Sequence, residues 1–142
     1  MALGFAGCAD AGPGWEPPES SFREFQAVYP VLLRDCGFPD CHGAEERFYR
    51  VWGPGRARLD PETRAFDGVT GDEASASYTL ALSMIDVRHP AESLLLRKPL
   101  AVSAGGAAHG GVDRYGRDVY RTVDDAGYVA LERWVLSVTQ AK

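Results

Sequence analysis

The amino-acid sequence predicts an all-α domain made of short helices and long loops. Apolar residues recur at helical spacing in several segments, and residue types that favour helix starts precede these segments. Alternating apolar and polar residues, the pattern of a strand, are scarce, while 16 glycines and 9 prolines mark loops and turns. A length of 142 residues with 45% hydrophobic residues fits one domain with a modest core.

The first helix is expected to begin at Ser21. Ser21 and Glu24 form the S-x-x-E pattern of a capping box. Pro30 predicts a kink, because proline removes a backbone donor and crowds the preceding turn. The apolar residues of this stretch fall on one helical face: Phe22, Phe25, Val28, Tyr29, Leu32 and Leu33.

Three further helices are expected after an irregular loop, RFYRVWGPGRARLDPE. Asp72 is expected to cap a second helix that ends near Ile85. Pro90 suits the first turn of a short helix through ESLLLRK. Thr122 and Asp125 form a second capping pattern before the final helix. The apolar face of that helix consists of Ala126, Val129, Ala130, Trp134, Val135 and Val138.

We divide the chain into a tether, residues 1–20, and a domain, residues 21–142. The N-terminal MALGFAGC resembles the end of a bacterial lipoprotein signal peptide, in which small residues precede the cysteine that receives the lipid. Residues 9–20 are rich in proline, glycine and acidic residues, which suits a flexible connection. These features predict a protein in the periplasm or at the cell surface, anchored to a bacterial membrane through Cys8.

Charge and hydropathy argue against nucleic-acid binding by the domain and against a membrane-spanning helix within it. The net charge is −5 and the basic residues are scattered among acidic ones, whereas phosphate binding needs clustered lysine and arginine. A nucleic-acid partner is therefore not expected. No apolar stretch approaches the roughly 20 residues that a membrane-spanning helix needs, so the domain itself is expected to be soluble.

The segment DCGFPDCHG carries the strongest functional signal. Four residues separate Cys36 from Cys41, and His42 follows directly. Covalent haem attachment uses this set of groups, because two thiols add to the haem vinyl groups and the adjacent imidazole reaches the iron. The common spacing has two intervening residues. The wider spacing requires an outward bulge, which Gly37 and Pro39 favour.

Beyond this motif, the chain resembles the cytochrome c domains of bacterial surface and periplasmic proteins. The resemblance rests on F-x-x-V-Y-P-V-L-L-x-x-C, on CHG at residues 41–43, on PAESLLLRKPL and HGG, and on the closing Y-x-x-L-x-x-W. It implies a cytochrome c-like fold around one haem. The first and last helices would cross beside the haem, which would bring Phe25 and Tyr29 near Trp134.

Three other interpretations of the cysteine segment remain open. Cys36 and Cys41 would form a short-loop disulfide in an oxidising compartment. Alternatively, both thiolates and His42 would hold zinc together with His89 or His109. The third is a redox-active thiol pair, although its usual motif has two intervening residues and belongs to a mixed α/β fold.

A bound haem needs a ligand on the distal side of the iron, and we predict His109. Neighbouring glycines let the backbone approach the flat macrocycle, and the resemblance to HGG-containing cytochrome domains implies the same residue. Met84 is the alternative, although methionine on an apolar helix face is usually core. His89 is a third candidate, which its place at a helix start explains equally well as a solvated cap. Methionine ligation would raise the redox potential relative to histidine.

Residues after the motif are candidates for the haem surroundings. An arginine there would pair with a haem propionate or remain solvated, and the candidates are Arg50, Arg56 and Arg58. Three aromatic residues would pack against the haem or in the core, namely Phe48, Tyr49 and Trp52.

The sequence therefore predicts electron transfer through one covalently attached haem c, with redox proteins as partners. No activated nucleophile or acid–base pair stands out, so we do not expect an enzyme. The alternative function is a binding module in a larger complex. In that case the chain is a cytochrome-derived lipoprotein without haem, stabilised by a disulfide or by zinc.

Overall fold

A computed structural model describes residues 15–110 and 116–140. Within these ranges the chain forms four α-helices, which are α1 (Ser21–Asp35), α2 (Gly71–Leu82), α3 (Leu94–Arg97) and α4 (Ala126–Thr139). Single 3₁₀ turns lie at Pro61–Thr63, Pro90–Glu92 and Val102–Ala104. The β-structure of the described residues is limited to an isolated parallel bridge between Leu100 and Tyr120. The all-α prediction is confirmed, and the predicted lipid site at Cys8 lies outside the described residues.

The core forms where α1 packs against α4 and α2. The ring centroid of Phe25 lies 5.0 Å from that of Trp134 and 5.4 Å from that of Tyr29. Trp134 also donates a hydrogen bond of 3.1 Å from its indole nitrogen to the carbonyl of Ser21. Burial of these large aromatic side chains is the main favourable term in joining the first helix to the last.

The start of α1 differs from the predicted capping box. The N-cap residue is Ser20, and its side chain makes no capping hydrogen bond. Ser21 is buried, and its hydroxyl bonds instead to the phenol of Tyr78 on α2. Ser21 therefore lies inside the helix, one residue past the cap, and its hydroxyl makes a tertiary contact. The helix continues through Pro30, which lies on its exposed side.

The capping box predicted for other helices occurs instead at α2. Thr70, and not Asp72, is the N-cap residue: its hydroxyl accepts from the Glu73 backbone at 3.2 Å, and the Glu73 carboxylate accepts from the Thr70 backbone at 3.0 Å. Glu73 is fully buried and forms an ion pair of 2.6 Å with Arg58, which is also buried. Arg58 also donates to the carbonyls of Phe66 and Gly68, and so holds the loop before α2.

The C-terminal half follows the predicted order of short elements. The predicted helix after Pro90 is split into a 3₁₀ turn and the single turn of α3, which buries Leu95 and Leu96. Asp125 precedes α4, but its carboxylate accepts from the backbones of Arg121 and Thr122 rather than from the helix. No helix within the described ranges is both long and apolar enough to cross a membrane.

Candidate functional site

The cysteine segment begins at the last turn of α1. We call residues 36–58 the Cys–His loop. The backbone nitrogens of Cys36 and Gly37 both donate to the carbonyl of Leu32, at 2.9 and 2.8 Å. Cys36 is 8% exposed and belongs to the hydrophobic core. One cysteine of the motif is thus a core residue at the end of a helix.

A tight turn brings the second cysteine back toward the first. The backbone nitrogens of Cys41 and Gly43 donate to the carbonyl of Phe38 at 2.8 and 2.9 Å, and His42 donates to the carbonyl of Cys36 at 3.1 Å. A Cβ atom added at Gly43 would collide with the carbonyl oxygen of Gly37. The glycine after His42 is therefore required by close backbone packing.

Hydrogen bonding fixes the ring of His42. Its Nδ1 lies 2.9 Å from the backbone carbonyl oxygen of Tyr49. Because a carbonyl oxygen only accepts, Nδ1 carries the hydrogen and donates it, which leaves a lone pair on Nε2 of the neutral ring. The ring centroids of His42 and Tyr49 lie 4.9 Å apart.

His109 lies against His42, although the two residues are far apart in sequence. The ring centroids are 5.8 Å apart and the rings are nearly parallel, at 10°. Two bonds hold the backbone before His109: Ala107 donates to the carbonyl of Arg97, and the Lys98 ammonium donates to the carbonyl of Ala108, both at 2.8 Å. The end of α3 thus positions His109.

Burial dominates the electrostatics of this site. It lowers the pKa of His42, more than the Tyr49 carbonyl raises it, and it lowers the pKa of His109, with further lowering by His42 and Lys98. Both imidazoles are therefore neutral at pH 7. Burial also raises the pKa of Cys36 to about 12, so this thiol stays protonated.

The predicted cofactor is contradicted by the structure. The chain has three cysteines, and no group of three or more His, Cys, Asp or Glu side chains within residues 15–110 and 116–140 is arranged to hold a metal ion. The prediction of one haem c, with zinc as its alternative, is therefore wrong. The physical reason is that the expected ligands do not converge on one point of the structure. Cys36 is a protonated core thiol, and His89 is an exposed residue 3.5 Å from Asp86.

The other residues predicted to surround a haem have local roles. Met84 packs against the core. Arg58 pairs with Glu73, and Arg56 donates to the carbonyls of Leu33 and Pro54.

Of the three aromatic residues predicted to pack against the haem or in the core, only one is a core residue. Tyr49 is buried, Trp52 is half-buried with the guanidinium of Arg50 5.9 Å from its ring centroid, and Phe48 is exposed.

The sequence did not predict two features of the site. Phe38 and Phe48 are 57% and 77% exposed, whereas the sequence predicts that Phe48 packs against the haem or in the core. The hydroxyl of Tyr49 is the one buried side-chain polar atom in the described part of the chain that has no hydrogen-bond partner. No pattern in the sequence distinguishes these residues, because each environment depends on how the loop folds back on α1.

Two open surface cavities lie away from the Cys–His loop. One, of about 400 Å³, runs along α4 and includes Val129 and Leu136. The other, of about 590 Å³, lies beside Ala101 and Asp118. Neither is lined by the cysteines or by the paired histidines.

Comparisons with known proteins do not assign a family. No protein-family model matches the chain, and no match was found among curated proteins or solved structures.

Proposed function

We propose that the chain is a binding module without haem that contacts a partner protein through a surface formed by the Cys–His loop and the adjoining His109. We name this surface the loop face and define it by Phe38, Cys41, His42, Phe48 and His109. The electron-transfer prediction required a haem, so its alternative is the function carried forward. No catalytic role is proposed.

The exposure of two phenylalanines carries this proposal. Phe38 is 57% exposed and Phe48 is 77% exposed, at the two ends of a segment that contains His42. Exposing two large aromatic side chains in one segment is unfavourable in water, and aromatic residues are enriched in protein–protein interfaces. The turn whose carbonyl acceptor is Phe38 leads directly to His42. Phe48 is the neighbour of Tyr49, whose ring contacts that of His42.

The chemistry of the loop face favours a protein partner with an apolar contact surface. Its two imidazoles are neutral at pH 7, and Arg50 and Trp52 lie next to it in the chain. Aromatic residues and arginine are enriched in protein–protein interfaces, and charged residues are depleted from their centres.

We further propose a cytochrome c-like arrangement of the helices and a location in the periplasm or at the cell surface. The packing of Phe25 on α1 against Trp134 on α4 supports the first. The N-terminal sequence around Cys8 supports the second, since it predicts a lipid anchor.

Site-specific crosslinking tests the binding role. The photoreactive residue benzoylphenylalanine replaces Phe48 in one version of the full chain and Val129, a partly exposed residue of α4, in a matched control. In cells that produce the chain naturally, we expect a discrete adduct from position 48 and none from position 129.

Binding by the purified partner completes this test. Phe48→Ser is expected to weaken binding on the order of tenfold, as for a central interface residue, whereas Val129→Ser leaves it unchanged. Equal adducts from both positions, or unchanged binding by the Phe48 variant, contradict the proposed surface.

A further inference from the structure

We propose that Cys36 and Cys41 form an intramolecular disulfide that closes the Cys–His loop onto the end of α1. Both thiols are free in the structure. The disulfide does not depend on the proposed binding role, because it rests on the geometry of the turn alone.

The backbone places the two cysteines within reach of each other. The hydrogen bond from the His42 nitrogen to the Cys36 carbonyl oxygen is 3.1 Å long. With ordinary bond lengths, this bond keeps the two cysteine Cα atoms within about 8 Å at most. Disulfides need a Cα separation of about 4.4 to 6.8 Å, a range that lies within this bound. The pKa of Cys36 is raised by burial, then by Asp35 and then by Cys41, which agrees with two thiols that lie close together.

The surroundings favour retention of such a bond. Cys36 lies in the core beside Tyr49, whereas Cys41 is half-buried at the turn. An external thiol can therefore reach the sulfur of Cys41 but not that of Cys36. Because only one of the two sulfurs is accessible, and that one only partly, reduction by an external thiol is slowed and the bond persists once it has formed.

Formation of the bond requires an oxidant, and we assign this role to a protein or small-molecule disulfide. The Cys41 thiolate attacks that disulfide and forms a mixed disulfide, releasing one thiolate. Cys36 then loses its proton to solvent, and the thiolate so formed attacks the sulfur of Cys41 and releases the second thiolate. Because burial raises the pKa of Cys36, this deprotonation is the slow part of the reaction. Two thiols of the chain together lose two electrons, and one external disulfide gains them and is reduced to two thiols.

The test uses the full chain with Cys8→Ser, so that the third cysteine does not interfere. The folded protein is equilibrated with oxidised and reduced glutathione, denatured in N-ethylmaleimide, and weighed by intact mass spectrometry. We expect a monomer lighter by two hydrogen atoms with no maleimide adduct, and two adducts after reduction. The matched Cys8→Ser/Cys41→Ser variant should carry one accessible thiol after denaturation.

Thermal unfolding provides the second measurement. A bridge closing so short a loop is expected to raise the melting temperature of the oxidised form by about 5 °C over the reduced form. Two maleimide adducts without prior reduction, or disulfide-linked dimers in place of the intramolecular bond, would overturn the inference. Neither result bears on crosslinking through Phe48, so failure of the disulfide and failure of the binding role are separable.

Discussion

Phe25 and Phe48 are the same residue type, but they lie in two regions that differ in how their side chains are packed. Phe25 is fully buried between α1 and α4, whereas Phe48 is 77% exposed on the Cys–His loop. Polar groups differ in the same way, since the indole nitrogen of Trp134 donates to Ser21 in the core while the buried hydroxyl of Tyr49 has no partner within the described residues. The helical core is arranged for stability. The loop tolerates features that cost stability, as functional surfaces commonly do.

The largest expected difference between the two regions is the cost of removing each phenylalanine ring. Phe25→Ala should lower the free energy of unfolding by about 3 to 5 kcal/mol, because it leaves a cavity among large buried side chains. Phe48→Ala should change it by less than about 0.5 kcal/mol. Urea unfolding monitored by circular dichroism measures both. Similar losses in the two variants would show that the loop phenylalanine is packed.

The ion pair of Arg58 and Glu73 gives the next largest effect. Arg58→Met removes one charge from a buried pair and leaves the Glu73 carboxylate without its partner, which should cost about 3 to 5 kcal/mol. The control is Arg34→Met, because Arg34 pairs with Asp35 at the surface and should contribute less than about 1 kcal/mol. If Arg58→Met and Arg34→Met lowered the free energy of unfolding in urea by the same amount, the Arg58–Glu73 pair would have to be exposed to solvent.

Acid should weaken the core through Glu73. Burial raises the pKa of this carboxyl, but hydrogen bonds from Thr70, Arg58 and Leu59 outweigh burial and hold it below its ordinary value of 4.5. A lowered pKa stabilises the fold at a pH above the unfolded-state value, and this contribution is lost as pH falls through the folded-state value.

The expected result is a decline in the free energy of unfolding below about pH 4.5 that Glu73→Gln reduces. Unfolding curves collected between neutral and acidic pH provide the measurement. The exposed neighbour Asp72, replaced by asparagine, serves as the control. An unchanged acid slope in Glu73→Gln would assign acid sensitivity to other carboxyls.

The smallest effect concerns two tyrosine hydroxyls. Tyr49→Phe should raise the free energy of unfolding by about 1 kcal/mol, because it removes a buried hydroxyl without a partner. Tyr29→Phe should lower it by about 1 kcal/mol, since its hydroxyl donates to the carbonyl of Trp52 at 2.7 Å. Thermal or urea unfolding distinguishes the two signs. A loss of stability in Tyr49→Phe would reveal a partner for that hydroxyl.

The predicted helix positions illustrate the reach of sequence patterns. The apolar periodicity of residues 21–35 and 126–139 predicted α1 and α4, because such spacing reports a buried face directly. Individual caps were less predictable. Ser21 and Thr70 both precede a glutamate by three residues, yet only Thr70 forms the box, because α1 begins one residue earlier than expected and Ser21 lies inside it.

The motif at Cys36, Cys41 and His42 illustrates the limit. A spacing pattern indicates which groups are near one another in the chain, but a metal site also depends on side chains delivered by other segments. The fold brings His109 to His42, and it assembles no group of three metal-ligating side chains within the described ranges. The cofactor prediction failed at this step.

By itself, the sequence determined the helical class, the positions of the main helices and the irregular course of the loop, because these depend on short-range periodicity and turn residues. Tertiary structure alone decided the pairing of His42 with His109, the burial of Arg58 beside Glu73 and the exposure of Phe48. Each of these depends on contacts between segments that are distant in sequence, and those contacts are fixed only when α1, α2 and α4 pack together.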